Sequence, residues 1–114
     1  MTVRAVTVLL LLLAPLAAGV LRRADASQGD SAKILYSQNC LQCHGVRGVA
    51  PKGIKATFPK IPTFDSAFSA SHTQDSIVKV LTHGKSTDMP SFNGKLTPAE
   101  MATIAKYVRG LASK

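Results

Sequence analysis

Tryptophan is absent from this chain of 114 residues, cysteine occurs twice, and phenylalanine and tyrosine together number six. So small a domain has few bulky side chains with which to fill its middle, so a non-protein filler or staple is expected there. Acidic residues are scarce as well, 6 against 14 lysines and arginines. That balance suits an acidic partner surface or an anionic membrane. No basic stretch is interleaved with aromatics and no base-reading motif occurs, so nucleic acid is not an expected partner. No segment alternates polar and apolar residues strongly enough to read as a strand, and there is no internal repeat. The composition points to an all-α domain.

Long hydrophobic runs are confined to the start. After Arg4 comes an apolar stretch from Ala5 to Leu21, 17 residues, interrupted by Pro15 and Gly19. "ADA" at 24–26 follows, a small-x-small cleavage pattern, so the stretch reads as a secretory signal peptide cut after Ala26. If uncut, it sits at the lower limit of a membrane span, flanked by Arg22 and Arg23. Either way the remainder is expected outside the cytoplasm. The division is therefore 1–26 leader (signal peptide, or membrane anchor if uncleaved) and 27–114 functional domain. Without Arg4, Arg22, Arg23 and Asp25 that domain keeps 11 basic and 5 acidic residues, a net +6.

Three segments predict helices. In "DSAKILYSQN", 30–39, Asp30 or Ser31 can cap, and Ala32, Leu35 and Tyr36 share a face. In "SHTQDSIVKVLTHG", 71–84, Ser71 and Gln74 resemble a capping box, Ile77, Val80 and Leu81 make the stripe, and Gly84 supplies the stop. In 96–114, Thr97 caps, Pro98 takes the first helical position, Glu100 completes the box, and Met101, Ile104, Ala105, Val108 and Leu111 form the apolar face. Residues 45–70 hold three glycines and three prolines without sustained periodicity, and read as loop. A loop of that length in a compact domain is expected to wrap something.

Both cysteines fall in "NCLQCHG", 39–45, with His44 directly behind the second. A thioredoxin-like disulfide would need a strand-to-helix turn, and no strand precedes this segment. Tetrahedral zinc would need His44, His72 or His83 to complete four ligands, and the two distal histidines have poor spacing for it. Cys-x-x-Cys-His is the pattern of covalent c-type haem attachment. Two intervening residues hold Cys40 and Cys43 about one helical turn apart, matching two porphyrin vinyl groups, and carry His44 under the ring where its imidazole can bind iron. Gly45 is expected to let the backbone pass close to the macrocycle. The exported context favours this reading over the other two.

A second axial ligand is expected from Met89. Met1 initiates the chain and Met101 lies on the apolar face of the last helix. Met89 precedes Pro90, which pushes it out of helical conformation so that its thioether can project inward from a loop. The expected site is thus Cys40, Cys43, His44 and Met89, with His44 and Met89 on the metal.

With Cys40-Leu41-Gln42-Cys43-His44-Gly45, Met89-Pro90-Ser91-Phe92 and a C-terminal helix carrying Tyr107, the chain resembles the class I (mitochondrial-type) small bacterial monohaem cytochromes c over 30–112. That resemblance implies a cytochrome c-like fold, three main helices with long loops around one covalent haem c. It also implies a first helix crossing the last at Ala32 and Tyr36, and a proline carbonyl orienting His44, with Pro62 first, Pro59 next and Pro51 third. His72 and His83 are expected as solvated or capping residues.

The resulting expectation is a periplasmic one-electron carrier rather than an enzyme, with His/Met ligation raising the potential of the iron. The pocket is expected from Ile34, Leu35, Tyr36, Ile61, Phe64, Val80, Leu81, Phe92, Ile104 and Val108. Two propionates lower the charge to roughly +4, and Lys52, Lys55, Lys85 and Lys95, all read as loop residues, are candidates to steer the haem edge toward acidic redox proteins. The chain is expected as a monomer, at a membrane only if the leader is retained. The alternatives are a fixed haem subunit of a larger oxidoreductase and, third, a five-coordinate haem peroxidase or sensor.

Overall fold

The computed structural model describes the backbone of residues 16–114 and side chains from residue 27 onward. The chain divides into two units, residues 1–30 and 31–114. Residues 1–15 of the expected leader lie outside the described residues. Helix α1 spans Leu16–Asn39. It therefore starts well before the expected cap at Asp30 or Ser31, because the alanines, leucines and arginines upstream are good helix formers. Among the described residues no helix is long and apolar enough to cross a membrane.

Residues 31–114 form the second unit. After α1 come α2 (Leu41–His44), α3 (Lys52–Thr57), α4 (Ser66–Ser71), α5 (Gln74–His83) and α6 (Pro98–Gly110), ending in a 3-10 turn, Leu111–Ser113. Asn93 and Leu96 make one isolated bridge, and the described residues contain no strand. The segment 45–70 is thus not all loop. Pro51 starts α3, and Asp65 caps α4 by accepting a hydrogen bond from the Phe68 N–H. Each helix is too short for a periodic stripe to betray it.

The start of α5 also differs from expectation. Thr73, not Ser71, is the cap, its hydroxyl accepting from the Ser76 N–H. Ser71 instead ends α4 and donates back to the Ala67 carbonyl. In α6 the expected capping box is present: Thr97 Oγ1 accepts from the Glu100 N–H at 3.2 Å, and the Glu100 carboxylate accepts from the Thr97 N–H at 2.8 Å.

Helix α5 packs against α6, and α4 packs against the 3-10 turn. The α6 face enters the core as expected, with Met101, Ile104, Ala105 and Val108 buried, and Leu111 of the 3-10 turn is buried beside them. They join Tyr36, Phe64, Ile77, Leu81, Phe92 and Leu96 in one cluster. Ala32 is buried too, and the Tyr36 and Tyr107 rings meet at 5.2 Å between centroids. Leu35, Ile61 and Val80 are only half-buried. Ile34 is a misassignment, 54% exposed, because the inward face of α1 is set by Ala32 and Tyr36, one turn apart.

Candidate functional site

The site grows from the junction between α1 and α2. Cys40 donates its N–H to the Tyr36 carbonyl at 2.8 Å and accepts from the His44 N–H at 2.9 Å. Cys40, Cys43 and His44 thereby share one turn, and both thiols are free and half-buried. Burial pushes the Cys40 thiol up to about 11, assisted by the neighbouring Cys43 and opposed by Lys95. His44 is buried, which lowers its pKa from the usual imidazole range. Its Nδ1 is enclosed without a hydrogen-bond partner. A buried nitrogen left alone costs about 1–3 kcal/mol, so such atoms ask for a ligand or a water.

The turn after His44 explains how the ring is held. Gly45 has φ +75, and a side chain there would collide with the Val49 carbonyl. The need for glycine therefore comes from this tight turn, a cause the motif alone does not reveal. Tyr36 Oη donates to the Gly45 carbonyl at 2.7 Å in the interior, and burial drives the phenol pKa well upward. Gly48, at φ +72, lies against Phe64, whose N–H bonds the Gly48 carbonyl at 2.9 Å. Phe64 then stacks on His44, centroids 4.7 Å apart and planes 18° from parallel. The rings continue through Phe68, 4.9 Å from Phe64, to His72, stacked at 4.2 Å on Phe68.

No proline carbonyl reaches His44. His44 Nδ1 has no hydrogen-bond partner, so neither Pro51, Pro59 nor Pro62 accepts from it, and Phe64 packs flat against the imidazole. The expected proline contact is corrected accordingly: ring packing, not a backbone acceptor, fixes this histidine.

Met89 lies in the segment between α5 and α6, half-buried against the same core that contains Phe64. Its carbonyl accepts from the Lys85 N–H at 2.8 Å and the Ser86 N–H at 3.3 Å, and its own N–H donates to Ser86 Oγ at 3.2 Å. Met101 is core as expected, 2% exposed, with Thr82 Oγ1 3.8 Å from its sulfur. His72 caps α4 and His83 ends α5. Lys85 and Lys95 are exposed loop residues. Lys52 and Lys55 stand on α3 rather than in a loop, and Lys55 Nζ donates to the Ile61 carbonyl at 2.7 Å. Sequence reasoning missed Gly48 and Phe68 altogether; a glycine outside any helix end was the one available signal for the former.

An all-helical unit with two free thiols and a buried histidine on one turn is built like a c-type cytochrome. The solved structure of the c-type cytochrome KustC0563 is 30% identical and superposes with a TM-score of 0.63, covering 70% of this chain and 95% of that one. The family described as cytochrome c oxidase, cbb3-type, subunit III, matches residues 27–108, and the chain belongs to that family. Subunit CcoP of the cbb3-type cytochrome c oxidase of Azospirillum brasilense is 27% identical across 79% of this chain and 30% of its own length. The 1-butanol dehydrogenase (cytochrome c) of Thauera butanivorans is 32% identical across 77% of this chain and 11% of its own. The chain thus spans under a third of these curated relatives. As a c-type cytochrome domain it carries covalently bound haem c and belongs to electron transport.

Proposed function

We propose that this chain is a class I monohaem cytochrome c domain, exported to the periplasm, whose haem is held by Cys40, Cys43, His44 and Met89. The observation that carries the reading is the pair of free thiols on the same turn as a buried histidine whose Nδ1 has no protein partner. Those donors fit haem c: two thiols for two thioether links, an imidazole, and a thioether sulfur on the Met89 loop. When bound, the haem supplies a one-electron Fe(III)/Fe(II) couple, raised by the soft sulfur.

The chain's own residues do the rest. Tyr36 fixes the Gly45 carbonyl, Gly48 admits Phe64, and Phe64 holds the imidazole flat. The core of Tyr36, Phe64, Leu81, Phe92, Ile104 and Val108 keeps water away. With both His44 and Met89 holding it, the haem would supply electron transfer and offer no site to a substrate, which favours electron carriage over turnover. The net +6 of residues 27–114 steers the domain toward acidic redox partners.

A second reading is a fixed haem domain in a larger oxidoreductase, supported by relatives in which such a segment is 30% and 11% of the whole. Visible spectra of the purified protein, before and after dithionite and carbon monoxide, test the main reading. The expected result is a low-spin c-type spectrum, retained after acid-acetone extraction and unaltered by carbon monoxide. A colourless protein with two titratable thiols, made where haem maturation operates, overturns it. Intact-mass measurement separates the two readings, since a chain beginning after Ala26 favours the diffusing carrier and a retained leader the fixed domain.

A further inference from the structure

We propose that Gly84 is a positioning residue for Met89, acting by close approach of its bare Cα to the backbone of the methionine loop. The inference rests on the reading of Met89 as axial ligand. Gly84 ends α5 at φ +73 and ψ 174, a backbone region essentially reserved for glycine, and donates its N–H to the Val80 carbonyl at 2.7 Å. The turn that ends the helix accounts for a glycine in that conformation and for no more. It does not account for what lies against the residue. A Cβ on Gly84 would stand 2.6 Å from Ser91 N, 2.8 Å from Pro90 C and 3.1 Å from Met89 O. All three are main-chain atoms of consecutive residues, and none can swing aside as a side-chain tip can.

The loop is fastened over Gly84 from both sides. Lys85 and Ser86 donate their N–H groups to the Met89 carbonyl. Beyond Pro90, Ser91 Oγ donates to the Thr82 carbonyl at 2.5 Å and the Phe92 N–H donates to the Leu81 carbonyl at 2.8 Å. Residues 85–92 therefore form a strap folded back onto the last turn of α5, and Gly84 is the surface it rests on. Any side chain at 84 lifts the strap where Met89 leaves it. Because an axial sulfur must meet a fixed position, a displacement of about 1 Å is enough to disrupt the contact.

Gly94 provides the comparison. It also has positive φ, +83, but nothing stands within 4 Å of where its Cβ would be. Gly94→Ala likewise puts a side chain on a positive φ without touching the strap. The experiment prepares holoproteins of Gly84→Ala, Gly94→Ala and Met89→Ala beside the wild type. Each is read by the sulfur-to-iron(III) charge-transfer band, carbon monoxide binding to the reduced form, and midpoint potential. Gly84→Asn is made in parallel, because asparagine is enriched at positive φ among the residues that carry a Cβ; whichever of the two variants folds carries the test.

The expected result is loss of the band, gain of carbon monoxide binding and a lower potential in Gly84→Ala, Gly84→Asn and Met89→Ala, with Gly94→Ala like the wild type. If Met89→Ala alone changes these readouts, the positioning role of Gly84 is overturned while the ligand reading stands. If Gly94→Ala behaves as Gly84→Ala does, backbone strain is the cause and the contact is not. Were Met89→Ala itself to change nothing, the ligand reading would fall and this inference with it.

Discussion

At Gly48 a Cβ would sit 2.5 Å from the Phe64 Cβ, on a backbone already at φ +72. Alanine there combines left-handed strain with overpacking, and should cost about 2–4 kcal/mol in denaturant unfolding of the holoprotein. The same substitution tilts Phe64 away from His44, so the reduced spectrum should broaden as well. Tyr36→Phe keeps the ring and removes only the donor to the Gly45 carbonyl. That buried acceptor then keeps only the 3.2 Å bond from the Gly48 N–H, with an expected loss of about 0.5–1.5 kcal/mol in the same measurement. Neither role was legible beforehand. Cys40, Cys43, His44 and Met89 stand out in the sequence because their chemistry is rare and their spacing short. Gly48 and Phe64 act through a contact across sixteen positions, which no local pattern records.

Among the helices, α6 was the most readable and α3 and α4 the least. Thr97, Pro98 and Glu100 are a compact start signal, and every apolar position that followed at helical spacing proved buried. A six-residue helix gives no room for such a stripe. The α5 cap was misplaced by two residues because Ser71 and Thr73 are both competent and only tertiary context assigns Ser71 to α4. Thr97→Ala should remove about 1 kcal/mol of stability by opening the α6 box. The box also titrates. Hydrogen bonds from the Thr97 backbone and hydroxyl lower the Glu100 pKa below its ordinary 4.5. Its contribution is therefore fully present above that value and is lost as pH falls through the lowered one. Stability measured downward from pH 5 should fall less in Glu100→Gln than in the parent.

For the molecule as a whole, charge is the property that reaches beyond its surface. Residues 27–114 carry +6 before any haem propionates, and Lys85 and Lys95 are exposed. Oxidation of the reduced protein by the anionic hexacyanoferrate(III) should slow as salt rises past 0.1 M, where the screening length is about 10 Å. Oxidation by the cationic tris(1,10-phenanthroline)cobalt(III) should quicken over the same range. Replacing Lys85 and Lys95 together with glutamine should flatten both trends.

The order of elements along the chain has a bearing on how such a domain is made. Cys40 and Cys43 precede α6, yet α6 and the 3-10 turn after it supply Met101, Ile104, Ala105, Val108 and Leu111 to the core. Ser69 and Arg109 then fasten α4 to the far end of α6, each donating to the other's carbonyl. As the chain is synthesised the thiols therefore emerge before the residues that complete the core around them. Attachment of a haem at that turn can therefore precede the packing of the last helix.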